Sequence, residues 1–213
     1  MAIAKETRSV QDFDEVVVEG HGELVLAQGD QEMLEIEADA DLLPKIKSEV
    51  KDGRLALGMQ HWWDHLLPPW GPITYRLTMK TVRGVSISGS GTVTAGDIRA
   101  DRCRLALSGS GKAALAGLTA EAAEFHISGS GRIEVAGGEV GRQAITISGS
   151  GHLDASGLAC AAADVHISGS GNVALQARET LDVHISGSGD VRYRGQPAVS
   201  QHVSGSGRIK QVE

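Results

Sequence analysis

The chain has 213 residues, of which 41% are hydrophobic and 22% are charged, fractions that are ordinary for a globular protein in water. Its net charge of −7 argues against binding to phosphate backbones, so we expect no nucleic-acid partner. No apolar run approaches the roughly 20 residues that span a bilayer, so we expect no transmembrane segment. With 28 glycines but only three Trp, two Tyr and two Phe, the composition predicts a narrow aliphatic core.

The N-terminal part, residues 10–84, is predicted to be rich in β-strands. Runs typical of strands occur at Glu23–Ala27, Met33–Ala38, Arg54–Gly58 and Ile73–Met79. Only Asp41–Val50 has a helical pattern, and Pro44 restricts it to a short turn. The first residues lack the apolar stretch of a signal peptide. This leaves two origins open: a cytoplasmic protein, or an exported one whose signal has been removed.

All three tryptophans, Trp62, Trp63 and Trp70, fall within the segment His61–Trp70, beside two prolines that prevent regular structure. Exposed indole rings stack on sugar faces, so one interpretation of this segment is a glycan-binding loop. The other interpretation is a cap, in which the loop covers the open end of the fold and buries the rings. The three tryptophans are therefore candidate ligand-binding residues.

From Val85 onward the chain is dominated by seven copies of Ser-Gly-Ser-Gly, which begin at Ser88, Ser108, Ser128, Ser148, Ser168, Ser186 and Ser204. The intervals between them are 20, 20, 20, 20, 18 and 18 residues. A repeat this regular indicates stacked units that bury their apolar sides against their neighbours. Around each copy the apolar positions are spaced by two and are mostly β-branched, which favours strands with one buried face.

The sequence therefore predicts an all-β fold, a parallel β-solenoid over residues 85–213 with coils of 18–20 residues. The serines are expected to point outward, and the glycines inward at a tight bend. The segment Val18–Leu24 is a degenerate eighth copy, because it keeps both glycines and both apolar flanks. We therefore expect residues 10–84 to be continuous with the solenoid and to cap its first coil.

The last coil differs from the others in polarity. Gln201 and Gln211 replace apolar residues in their columns, and the coil is unfinished. A polar and incomplete final coil is typical of a solenoid end that must avoid strand-edge pairing.

Histidines recur two residues before the first serine of a copy, at His126, His166, His184 and His202. The last three fall in consecutive coils, and we expect them about 4.8 Å apart. Three interpretations remain open: stacked exposed rings, a pH sensor that loses stability below about pH 6, or a metal site at His166, His184 and His202. The metal site is the weakest of these, because three ligands in a straight ladder cannot surround a tetrahedral ion.

Other chemistry is poorly supported by the residues. Cys103 and Cys160 belong to coils about 14 Å apart along the axis, beyond the roughly 7 Å that a disulfide allows, so we expect both to be free. The column after Ser-Gly-Ser-Gly holds one acid in seven positions, Asp190, too few for a calcium ladder. Seven identical copies offer no special position for catalysis. We expect no catalytic residue and no cofactor.

Taken together, these segments resemble a known family. Coils of Ile-Ser-Gly-Ser-Gly-Xaa-Val follow the lead-in Phe13-Asp-Glu-Val-Val-Val-Glu-Gly-His-Gly-Glu-Leu24, and from about Val10 onward the chain resembles the bacterial head GIN domain family, labelled as autotransporter adhesins. The resemblance implies a right-handed parallel β-helix that is exported to the periplasm, outer membrane or cell surface. The family brings no catalytic residues to this chain.

The function that these observations favour is a non-enzymatic structural or interaction protein of the cell envelope or surface. It would present a rigid solenoid to a glycan or a cell-surface protein. One alternative is a carbohydrate-active enzyme with its site near the Trp62–Trp70 loop. The other is self-assembly of separate chains into a homo-oligomer.

Overall fold

The computed structural model describes residues 2–60 and 71–213, and in these residues the strands join into one 17-stranded sheet. The strands are β1 (Ile3–Arg8), β2 (Glu15–Gly20), β3 (Glu23–Gln28), β4 (Met33–Asp39), β5 (Ile46–Lys51), β6 (Arg54–Met59), β7 (Thr74–Met79), β8 (Gly84–Gly89), β9 (Thr92–Gly109), β10 (Lys112–Gly129), β11 (Arg132–Val135), β12 (Gly138–Gly149), β13 (His152–Gly169), β14 (Asn172–Gly187), β15 (Asp190–Arg194), β16 (Ala198–Gly205) and β17 (Arg208–Gln211). One short 3-10 helix, Leu43–Lys45, precedes β5. The described residues contain no α-helix.

Successive Ser-Gly-Ser-Gly copies stack directly on one another as parallel strands. Ser108 of β9 pairs with Ser128 of β10, and the same register continues from Ser128 to Ser148 of β12. A residue therefore lies one strand spacing, about 4.8 Å, from its equivalent in the next coil. The predicted all-β solenoid of stacked parallel coils is confirmed.

Side chains alternate between the interior and the surface along each strand, as the apolar columns predict. In β10, Phe125 and Ile127 are 0% and 2% exposed, whereas Ser128 lies on the surface. Equivalent aliphatic side chains line up in neighbouring coils, with Leu105 and Ile145 on either side of Phe125. The core is a continuous column of such layers along the axis of the solenoid.

The first glycine of each copy makes the bend that the sequence predicts. Gly129 has a φ of +116°, a conformation that residues with a Cβ rarely adopt. Space is also short there, because a Cβ on Gly129 would lie 2.6 Å from the carbonyl oxygen of Gly109 in the coil below. That oxygen accepts a hydrogen bond from the N–H of Ser130 at 2.9 Å, so the bend is also a link between coils.

The segment Val18–Leu24 stacks in register with the Ser-Gly-Ser-Gly copies. In the pairing of β2 with β8, Val18 lies opposite Ile87 and Gly20 lies opposite Gly89. In the pairing of β3 with β9, Leu24 lies opposite Val93.

A further coil, which the sequence analysis did not identify, covers the other side of this copy. β6 pairs in parallel with β2, and β7 pairs in parallel with β3. Each of these two strands was predicted as a strand. Their relation as one coil was missed because the connection between them, residues 60–73, carries no Ser-Gly-Ser-Gly motif.

Antiparallel strands lie outside this further coil. β5 pairs with β6, β4 pairs with β7, and β1 pairs with β4, all in the antiparallel sense. The guanidinium of Arg8 in β1 donates hydrogen bonds to the carbonyl oxygens of Ile46 in β5 and Leu43 in the 3-10 helix, at 2.5 and 2.7 Å. The prediction for Asp41–Val50 was correct for the short turn only, since the rest of the segment forms β5.

The shortening of the coil from 20 to 18 residues occurs within β14. Pairing with β13 begins at an offset of 20 residues, at His152 and Asn172, and ends at an offset of 18, at Ser168 and Ser186. The register shifts on either side of Ala159 and Cys160, away from the Ser-Gly-Ser-Gly corner. The Ser-Gly-Ser-Gly corner therefore keeps its stacking, and the two residues that β14 lacks are missing from another part of the coil.

Candidate functional site

A shallow groove runs along the solenoid beside the Ser-Gly-Ser-Gly corner. It consists of two continuous hollows with volumes of about 420 and 300 Å³, which share Thr146 and Ser148. One wall is the serine column, and the other is the column two residues earlier in each coil, to which the histidines belong. Because both columns repeat at each coil, the groove offers similar groups at intervals of about 4.8 Å.

The histidine column is partly a stack of rings. His166, His184 and His202 occupy equivalent positions in β13, β14 and β16. The rings of His166 and His184 are stacked, with centroids 5.0 Å apart and planes inclined by 15°. The rings of His184 and His202 are 6.1 Å apart and inclined by 43°. The fourth histidine, His126, is separated from this stack by Thr146.

Each of three histidines has a carboxylate two residues earlier on the same strand face. His166 Nε2 lies 3.0 Å from Asp164 Oδ1, and His184 Nε2 lies 3.2 Å from Asp182 Oδ1. The third pair, Glu124 and His126, is looser, at 3.7 Å. These acids were not predicted from the sequence, although an acid two residues before a histidine is a detectable signal, since residues i and i+2 share a face in a strand.

The carboxylates of Asp164 and Asp182 each have one buried oxygen without a hydrogen bond. Asp164 Oδ1 and Asp182 Oδ1 are both buried and accept no hydrogen bond. Their contacts with the imidazoles thus have the distance but not the geometry of hydrogen bonds. Arg142 is a further charged neighbour, with Nη2 3.9 Å from Asp164 Oδ2. Arg142, Asp164 and Asp182 line a separate hollow of about 430 Å³, so the groove itself offers imidazole and hydroxyl groups.

A metal centre finds no support in this arrangement. Within residues 2–60 and 71–213, no group of three or more His, Cys, Asp or Glu side chains is placed to hold a metal ion. The column at His166, His184 and His202 extends along the axis rather than converging on a point. Trp62, Trp63 and Trp70, the candidate ligand-binding residues, lie outside the described residues.

Both cysteines are free and buried. Burial raises the pKa of the Cys103 thiol to about 12 and that of the Cys160 thiol to about 11. The thiolate form that reacts with oxidants and metals is therefore disfavoured at neutral pH. The two residues contribute to packing, and we place neither of them in the candidate site.

Acidification tests whether a partly buried imidazole makes the solenoid pH-sensitive. Desolvation by burial, together with the positive charge of Arg132, lowers the pKa of His152. A group whose pKa is lower in the folded state destabilises that state when it is protonated, so its contribution to stability is lost as the pH falls from 8 to 5. The variant His152→Asn carries the residue found at the paired position in the next coil, Asn172, and its melting temperature should fall less than that of the wild type. The same fall in both proteins would contradict this prediction.

The described residues include no helix long and apolar enough to cross a membrane. No curated protein matches the chain.

Solved structures match the chain over almost its whole length. A "putative adhesin" from Bacteroides fragilis NCTC 9343 has a TM-score of 0.92 at 22% identity, covering 99% of this chain and 97% of its own. A "putative adhesin" from Parabacteroides distasonis ATCC 8503 has a TM-score of 0.79 at 24% identity with the same coverage. A "putative lipid binding protein" from the same organism has a TM-score of 0.75 at 22% identity, again with the same coverage. At these identities the likeness establishes the fold.

A family model supplies the assignment that the solved structures alone do not. It matches residues 12–197, which include the eighth copy, the whole histidine column except His202, and all but the last coil. The resemblance found in the sequence is thereby confirmed. This chain belongs to the family described as "Putative auto-transporter adhesin, head GIN domain".

Proposed function

We propose that the chain is a non-enzymatic interaction protein of the cell envelope or surface, which presents one face of a rigid solenoid to a glycan or protein partner. The observation that carries the proposal is the groove beside the Ser-Gly-Ser-Gly corner. Membership in an adhesin family supports both the binding role and the location.

The geometry of the groove suits an extended ligand. Hydroxyl groups of the serine column face imidazole groups across the groove, so donors and acceptors recur from coil to coil. Such a surface matches a chain of repeating polar units, in which each unit meets a similar set of groups. Because the strands are hydrogen-bonded on both sides in the central coils, the ligand would meet a preorganised surface and bind with little ordering of the protein.

Binding should depend on the three stacked histidines. We expect the variant His166→Thr/His184→Thr/His202→Thr to bind at least tenfold more weakly than the wild type in a screen of immobilised glycans and surface proteins. The control variant Asn172→Thr/Asp190→Thr/Arg208→Thr changes three stacked side chains in a different column, after the corner. It should bind like the wild type.

A second variant separates the two candidate binding regions. Alanine at Trp62, Trp63 and Trp70 tests the interpretation of the tryptophan segment as a glycan-binding loop. Binding that is lost only in this variant would move the site from the groove to that segment. Cleavage of a bound glycan, detected as released product, would overturn the non-enzymatic role in favour of a carbohydrate-active enzyme.

A further inference from the structure

The two ends of the solenoid differ in how their outermost strands are protected. At one end these strands are β1 and β5, which pair only with β4 and β6 among the described residues and carry Lys and Glu side chains along their length. At the other end, β16 pairs with β14 on one side, and no strand of residues 2–60 or 71–213 pairs with its other side. All eight residues of β16 are exposed.

Although the last coil is more polar than the others, β16 lacks the features that usually protect a free edge. Exposed edge strands are commonly protected by lysine or other charges, by proline or by a bulge. The strand Ala198–Gly205 contains no Asp, Glu, Lys, Arg or proline, and its pairing with β14 has no register shift. Val199 and Val203 continue the buried columns of Leu181 and Ile185, yet they are 39% and 38% exposed.

The free hydrogen-bonding groups of this edge can be assigned from the repeat. Arg104, the equivalent of Ser200 in an earlier coil, donates its N–H to the coil before it. Successive residues of a strand direct their main-chain groups to opposite neighbours. The N–H and C=O groups of Ser200 and His202 therefore point to β14, and those of Val199, Gln201 and Val203 point to the free side.

We infer that β16 pairs in antiparallel fashion with β16 of a second copy of this chain, about a two-fold axis at Gln201. In this register Gln201 lies opposite Gln201 of the second copy, and Val199 lies opposite Val203. The groups that point to the free side then form about six N–H···O bonds, two in each of the three opposed pairs. The interior-facing valines meet across the interface and become buried.

The identity of the partner follows from the strand itself. Residues 199, 201 and 203 read valine, glutamine, valine in both directions, so the edge is complementary to its own two-fold image. The strand is uncharged when His202 is neutral, so the opposed copies bring no like charges together there. At the opposite end, the charged side chains of the outermost strands β1 and β5 disfavour edge pairing, so the assembly closes as a dimer.

Charge substitution at the axis tests this register. In Gln201→Lys and in Gln201→Glu, two like charges face each other in the dimer. We expect sedimentation equilibrium at pH 8 and physiological salt to show a concentration-dependent dimer for the wild type, and at least a tenfold larger dissociation constant for each variant. An equimolar mixture of the two variants should recover the dimer as a heterodimer. Ser168→Lys, on the outer face of a central coil, should dimerise like the wild type.

Each result decides for or against the pairing. A wild-type protein that stays monomeric at its highest soluble concentration overturns the inference. So does a dimer that both charge variants form as tightly as the wild type, because the interface then lies elsewhere. A mixture that remains monomeric overturns the register centred on Gln201. Circular dichroism melting of each variant checks that the solenoid is folded.

Discussion

Replacement of Gly129 by alanine is expected to lower the free energy of unfolding by about 3 kcal/mol or more. Two costs combine at this corner. The φ of +116° is unfavourable for any residue with a Cβ, and the added Cβ would lie 2.6 Å from the carbonyl oxygen of Gly109. That oxygen belongs to the main chain of the coil below, so it cannot move aside without disturbing the stacking. Urea denaturation followed by circular dichroism measures the change.

Gly96 provides the matched control for this substitution. It also lies in a strand of the solenoid, but its φ is outside the left-handed region, and a Cβ there has no neighbour within 4 Å. Gly96→Ala should change the free energy of unfolding by no more than about 0.5 kcal/mol. Similar losses for Gly96→Ala and Gly129→Ala would contradict the account of the corner, because they would show that strain and close stacking are not what requires glycine.

The second large effect is expected in the core, from Phe125→Ala. Phe125 is fully buried, and with Tyr75 it is one of the two largest fully buried side chains in a mostly aliphatic interior. Its removal leaves a cavity between the layers of Leu105 and Ile145, and the coils above and below are held by main-chain hydrogen bonds that limit their collapse. We expect a loss of about 3–5 kcal/mol in the free energy of unfolding, measured by urea denaturation.

Two further variants show whether the loss comes from the cavity. Phe125→Leu should cost clearly less than Phe125→Ala, because leucine occupies the same column at residue 105. Glu124→Ala changes the preceding side chain, which is half exposed on the outer face, and should cost no more than about 0.5 kcal/mol. A large loss for Glu124→Ala would indicate that the strand, rather than the filled interior, is sensitive at this place.

The corner and the core were predictable because the repeat makes long-range contacts visible along the chain. In most folds the partner of a residue such as Phe125 cannot be found from its neighbours in sequence. Here the partner is the residue 20 positions away, and the spacing of Ser-Gly-Ser-Gly reveals that distance directly. The same logic identified the degenerate copy at Val18–Leu24, since two glycines and two apolar flanks suffice to place it in register.

Three N-terminal strands, β4, β6 and β7, were predicted as strands but not in their pairing, whereas β1 and β5 were not predicted as strands. β4 and β7 have ordinary alternating patterns, which indicate one buried face and say nothing about the neighbouring strand. Their antiparallel pairing arises because β7 is already parallel to β3 and leaves its other edge free. β4 pairs with the edge of β7 that β3 leaves unpaired, and this edge cannot be recognised from the sequence of either strand.

The repeating architecture of this protein can be predicted from its amino-acid sequence, because stacking at a constant interval requires the same residue types at that interval. The surfaces available for binding depend on the tertiary structure. The groove forms because two columns flank the corner, and the unprotected edge of β16 exists because this strand lies at the end of the stack. Both features depend on which strands are neighbours in space, and within residues 2–60 and 71–213 a residue of β16 differs from its equivalents in a central coil in lacking a paired strand on one side.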